Sequence, residues 1–178
     1  MFPGRPARRR YCVPVARAAT PAIVALVAAG VPHAVVQYRH DPRSDSFGEE
    51  AVRELAQAGG LAPEQIFKTL VLALPKGLGV AVLPVPSKLS LKAAAAALDV
   101  PKAMMADPVA AQRSTGYVVG GISPLGQRKP LPTVVDVSAL AWDRVLCSAG
   151  KRGLEIALAP AELVRLTNAA TAPILASQ

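Results

Sequence analysis

FKTLVLALPKGLGVAVLPV, residues 67–85, holds two apolar runs on either side of Pro75-Lys76-Gly77. Each run has the length of a strand and is rich in Val and Leu, and the tripeptide between them is turn chemistry. The segment therefore reads as a hairpin, which puts an antiparallel pair into whatever sheet forms. Lys68 interrupts the first run, with Thr69 beside it. Strand alternation lets Lys68 face one side while its neighbours pack on the other. It is either a cation on the solvent face or a donor aimed at a phosphate or a carbonyl.

Upstream of the hairpin, Thr20 as N-cap and Pro21 at the first helical position open a helix that Gly30 ends, with Ile23, Leu26 and Val27 on one face. Residues 33–39 (HAVVQYR) read as a strand, and Asp41-Pro42 as a turn. Ser46-Phe47-Gly48-Glu49 has capping-box spacing and opens a helix to about Ala58. Residues 63–66 make a short helical turn. Downstream, Ser90 caps an alanine-rich helix through Leu98, and Asp107-Pro108 begins a short helix that ends near Ser114. Residues 131–137, 144–148 and 154–158 are strand candidates, residues 160–168 a last helix, and the remainder is expected to fray. There is no clean βαβα alternation. The reading is α+β: a mixed, largely antiparallel, barrel-like sheet surrounded by helices.

The chain of 178 residues is long enough for one domain with its own core. Its longest uncharged stretch, residues 18–38, is broken by Gly30, Pro32 and His33, so no membrane span of roughly 18 apolar residues is present. The formal charge of +8 is unevenly spread. Arg5, Arg8, Arg9, Arg10 and Arg17 lie in residues 1–19, which carry no acid; removing these 5 from 20 basic residues leaves 15 against 12 acidic, a body of +3. Residues 1–19 read as a disordered basic leader, with an RNA-binding arm and a transit peptide as the alternatives. Two cysteines, Cys12 and Cys147, give no disulfide framework and fit a reducing cytoplasm. With only His33 and His40 and no clustered Cys/His spacing, no metal is expected.

Three segments could carry chemistry. Residues 114–126 (STGYVVGGISPLG) hold Gly116, Gly120, Gly121 and Gly126. They are either an ordinary Ω-loop or a nest of amides for an anion or a polarised carbonyl oxygen. Lys68 is the second. Residues 148–153 (SAGKRG) are the third: Lys151 and Arg152 either grip phosphates or make a solvated hairpin turn. A nucleophilic triad fails, since both histidines lie early, no GxSxG elbow exists and Cys147 sits in an apolar run. His40 beside Asp41 is either an acid–base pair or an exposed turn histidine; Met104 and Met105 read as gap-fillers.

The run MADPVAAQRSTGYVVGGISPLGQRKPLPTVVD (residues 105–136) closely resembles the YbaK-type Cys-tRNA(Pro) deacylases. So do TPA at 20–22, YRHDP at 38–42, FKTL at 67–70 and SAGKRGL at 148–154. The resemblance spans residues 20–172 as a YbaK/aminoacyl-tRNA synthetase-associated domain and has no counterpart for the leader. It implies a barrel-like mixed sheet and hydrolysis of the ester joining cysteine to the terminal ribose of tRNA(Pro). The chain would act in trans, with aminoacyl-tRNA as substrate and prolyl-tRNA synthetase as the partner that delivers it. Lys68 stands at the family's essential lysine. Gly120 and Gly121, with Ile122, Ser123, Pro124 and Gly126, would surround the aminoacyl carbonyl, and Gly116 belongs to the same loop. Tyr38, Phe47, Thr69 and Ser148 match pocket positions. Glu155 stands where the family commonly has Asp. The mechanism implied is substrate-assisted: the cysteine's thiol attacks its own ester, with no protein nucleophile, no cofactor and no metal. An Ala-tRNA(Pro) deacylase and a non-catalytic tRNA- or nucleotide-binding module are the alternatives.

Overall fold

A computed structural model describes residues 19–57 and 60–177. The arginine-rich leader up to residue 18, with Cys12, lies outside the described residues, and so does Ala58, the expected end of the second helix.

The hairpin forms as its sequence reads. β2 (Phe67–Ala73) and β3 (Leu78–Pro84) pair antiparallel from Phe67 opposite Pro84 to Ala73 opposite Leu78. β3 becomes the centre of a five-stranded sheet of order β4-β2-β3-β5-β8, with β4 at Met104–Met105, β5 at Thr133–Asp136 and β8 at Ala170–Ala172. Covered on both faces, Val80, Ala81, Val82 and Leu83 are fully buried, and this is why that run is apolar without alternation. The β3–β5 and β5–β8 pairings are parallel. A second sheet of three antiparallel strands has the order β1-β7-β6, with β1 at His33–Gln37, β6 at Val145–Lys151 and β7 at Leu154–Leu158.

The sheet is therefore mixed and largely antiparallel, but it is not closed into a barrel. The two sheets touch through one parallel bridge, Ile66 to Leu146, and part on either side of it. Closure needs a continuous ladder along the seam; where this ladder stops, a cavity opens instead.

Among the described residues five α-helices cover the sheets. α1 (Pro21–Ala28) starts at Thr20, whose Oγ1 accepts from the Ile23 amide, and Gly30 follows it at φ +66°. α2 spans Phe47–Gln57; α3 (Leu91–Ala97, capped by Ser90), α4 (Pro108–Thr115, capped by Asp107) and α5 (Pro160–Thr167) lie where the capping residues and prolines put them. The largest core cluster joins α1, α5 and the facing sides of both sheets; Leu26, Val82, Cys147 and Ile156 are fully buried in it. A second lies under α3 and a third under α2.

Two expectations need correction. Met104 and Met105 are 60% and 53% exposed and form the edge strand β4, so they fill no gap. The C-terminal segment does not fray. β8 adds to β5, Ile174 is fully buried, and its amide donates to Asp136 Oδ2 at 2.9 Å.

Candidate functional site

β4 pairs with β2 only at Leu72 and Ala73, so on that side the edge of β2 from 67 to 70 has no strand partner. A cavity of about 450 Å³ lies along this edge, between β4 and the seam with β6. Its wall includes Lys68 and Thr69 from β2, Phe47 from α2, Gly120 and Ile122 from the glycine loop, and Glu155 from β7. Tyr38 and Ser148 line it as well. Eight of the residues singled out by sequence thus converge from six parts of the chain.

Lys68 is turned inward. Its Nζ donates to the carbonyls of Val85 at 3.0 Å and Ser87 at 2.6 Å. An ammonium has three donors, so one remains for a ligand. Burial depresses its pKa below the ordinary lysine value, while Glu49 pulls the other way. Thr69 Oγ1 and Glu155 Oε2 are buried and lack a hydrogen-bond partner among the described residues. Among the described residues one further buried side-chain oxygen shares that condition, Ser138 Oγ, and it lies outside the cavity. Two polar atoms left open in one apolar-walled cavity point to a polar ligand. Burial pushes the Glu155 carboxyl up to about 8, and burial with the Glu155 and Glu50 charges raises the Tyr38 hydroxyl to about 12.

The rest of the predicted set braces this wall and does not line the cavity. Gly116, at φ +82°, caps α4. Ser123 is fully buried, and its Oγ accepts from the Leu125 amide at 3.2 Å. Pro124 is buried beside it. Gly126 lies against α1, where a Cβ would meet the Pro21 backbone at 2.4 Å. The Gly121 amide donates to Val118 O at 2.9 Å, so it is not a free donor. Lys151 is exposed, outside the cavity. Arg152 does not reach out to solvent as a phosphate grip would. Its Nε and Nη2 donate to Val119 O at 3.0 and 2.7 Å, and its guanidinium lies 4.3 Å from the centre of the Phe47 ring.

One constellation was not anticipated. His40 pairs with Glu50, not with Asp41: Nδ1 is 2.7 Å from Glu50 Oε2, and the Asp41 amide donates to Oε1 at 2.6 Å. Burial alone would raise the Glu50 carboxyl, but the Asp41 amide and the His40 ring outweigh it and hold the group below its usual value. The His40 ring centroid lies 5.9 Å from that of Phe47. Phe47 is thereby set between His40, Arg152 and Gly120. A 10-residue separation across an irregular loop leaves no periodic signal for such a pair.

Cys147 is fully buried, and burial, with the Glu155 charge, pushes its thiol well above its usual range. His33 Nδ1 is occupied by Val31 O at 2.8 Å. Among the described residues no cluster of His, Cys, Asp and Glu could hold a metal ion, and no helix is long and apolar enough to cross a membrane.

Comparison with known proteins gives four findings. The family model of the aminoacyl-tRNA editing domain matches residues 48–166. An Enterococcus faecalis protein with the provisional name Cys-tRNA(Pro)/Cys-tRNA(Cys) deacylase EbsC is 37% identical over 139 residues, 78% of this chain and 83% of that protein. Among solved structures, one described provisionally as a trans-editing enzyme for prolyl tRNA synthetase superposes with a TM-score of 0.76 at 28% identity, covering 88% of this chain and 96% of the other. The hypothetical protein APE2540 has the same fold, with a TM-score of 0.75 at 23% identity over 88% of this chain and all of the other.

Proposed function

This chain belongs to the aminoacyl-tRNA editing domain family, and from that premise we propose that it is a trans-acting hydrolase that frees tRNA(Pro) of wrongly attached cysteine. The observation that carries the proposal is the convergence of Lys68, Thr69, Gly120 and Glu155 on one cavity, two of them with an unpartnered buried oxygen.

The chemistry is substrate-assisted. The substrate's sulfur attacks its own ester carbonyl, a C–S bond forms and the ester C–O bond breaks. A cyclic thiolactone leaves, and the thiol's proton ends on the ribose hydroxyl released with the tRNA. The protein needs no nucleophile for this, which agrees with the burial of Cys147 and with a His40 already tied to Glu50. Lys68 uses its third N–H and its charge to hold the terminal nucleotide or ester, and Gly120 lets the loop backbone approach the carbonyl. Tyr38, Phe47, Ile122 and Ser148 enclose the small side chain. Cysteine and proline are too close in size for a synthetase pocket to separate well, so a second site has work to do. The reaction takes place in the cytoplasm, and prolyl-tRNA synthetase hands over the substrate.

Deacylation of Cys-tRNA(Pro) by the purified chain, beside Ala-tRNA(Pro) and a Lys68→Ala variant, tests the proposal. Selective loss of cysteine, abolished by the substitution, is expected. Preferential loss of alanine would transfer the chain to the other specificity. Binding of tRNA without turnover of either would leave a binding module.

A further inference from the structure

Glu155 sits inside β7, opposite Val36 on β1 and Ser148 on β6. It lines the cavity, is 7% exposed, and its Oε2 has no partner among the described residues. The titratable groups that sense it are Tyr38 and Cys147, neither of which can become a cation. No cation offsets the burial of its carboxyl: the Lys68 ammonium is turned to the Val85 and Ser87 carbonyls, and Arg152 to Val119 O. A carboxyl buried without a partner is costly, and filling the place with an apolar residue would remove the cost. Its presence in a binding cavity is explained if the partner arrives with the ligand.

In an aminoacyl ester the carbonyl calls for a donor and the thiol for nothing anionic. The α-amino group is the part that calls for a carboxylate. We propose that Glu155 is the receptor of the substrate's α-amino group, so that the site takes esters with a free amine and refuses those whose amine is acylated, such as formylated or peptidyl esters. The inference rests on the editing function proposed above. Burial raises the carboxyl to about 8, close to the ordinary range of an α-amine. The empty site therefore holds its own proton at neutral pH. At pH 7 the ligand's amine is mostly ammonium, so pairing it with Glu155 gives a carboxylate and an ammonium in contact and releases the carboxyl's proton to solvent.

The test uses the full chain and a non-hydrolysable probe, adenosine with cysteine joined by an amide at the 3′ position, with and without an N-acetyl group. Binding of both is measured by calorimetry at pH 7 to the wild type and to Glu155→Gln. The wild type is expected to favour the free amine by about tenfold or more, the size of one charge-assisted contact. Glu155→Gln is expected to bind the two alike. Glutamine keeps the volume and is neutral like the protonated carboxyl it replaces, so this variant folds; Glu155→Asp, with its carboxyl drawn back by one methylene, should retain part of the preference. A wild type that binds both probes alike, or a Glu155→Gln variant that keeps the full preference, overturns the proposal. Preference for the amine without turnover of Cys-tRNA(Pro) would instead sink the deacylase reading and leave the amine receptor standing.

Discussion

Gly120 and the Phe47 ring are packed so closely that no side chain fits between them: a Cβ on Gly120 would fall 2.5 Å from the ring's Cγ and Cδ2. Gly120 also holds φ at +85°, a region that L side chains rarely adopt. Both reasons forbid substitution, and both act on the cavity wall. Gly120→Ala is expected to lower stability by about 1–3 kcal/mol. It should also reduce deacylation further than that loss explains, because Phe47 must move. Urea unfolding beside a rate measurement checks this, and unchanged values for both would refute it.

Arg152 holds the opposite side of Phe47. Arg152→Lys keeps the charge but loses the planar fork on Val119 O and the face-on contact with the ring. A loss of about 1 kcal/mol in stability is expected, together with a raised KM. A lysine variant with wild-type KM and melting temperature would show that the fork does not set the wall.

The pH dependence of stability separates two buried carboxyls. Glu155 has a folded-state value raised to about 8, so the folded protein binds the extra proton, and stability falls as pH rises from the unfolded carboxylate value toward 8. The slope reaches at most about 1.4 kcal/mol per pH unit, and Glu155→Gln should remove it. Melting curves of both proteins between pH 5 and about 8 decide the matter; parallel curves would contradict the raised value.

Glu50 has the opposite sign. Its folded-state value is lowered, so its stabilisation is present above the unfolded value and is lost as pH falls through the folded one. Glu50→Gln should cost about 1–3 kcal/mol at neutral pH, since it strips a charged partner from His40 and from the Asp41 amide. Acid unfolding of the variant should also be shallower, and a steeper curve would argue against this account.

Cys147 offers a control on mechanism. It is fully buried in the main core, so a thiol reagent applied to the folded protein should leave Cys147 unlabelled and deacylation unaffected. Inactivation on the time scale of labelling would bring a protein thiol back into the chemistry.

The hairpin, the capped helices and the bodies of β6 and β7 are legible in sequence because each has a local signature: a period, a cap or a turn residue. β4 and β8 escape it because two and three residues are too few to show a period. Barrel closure could not be read either, since it depends on how far a ladder extends between Ile66 and Leu146, residues 80 positions apart. Within the glycine loop, sequence marks the glycines but not what each one faces. Gly120 meets the cavity, while Gly126 meets Pro21, more than a hundred residues away. The Phe47–Arg152 stack was invisible for the same reason, whereas Lys68 stood out because it breaks an apolar run.

The pairing of β1 with β7 joins His33 to Leu158, and its consequence is temporal. The β2–β3 and β6–β7 hairpins close over a few residues and can form early, but the walls that carry Tyr38, Glu155 and Gly120 come together only after loops of roughly a hundred residues have closed, which is the slow part of folding. A half-folded chain would therefore hold sheets without a cavity, and competence to act on an ester would appear as one of the last events in its maturation.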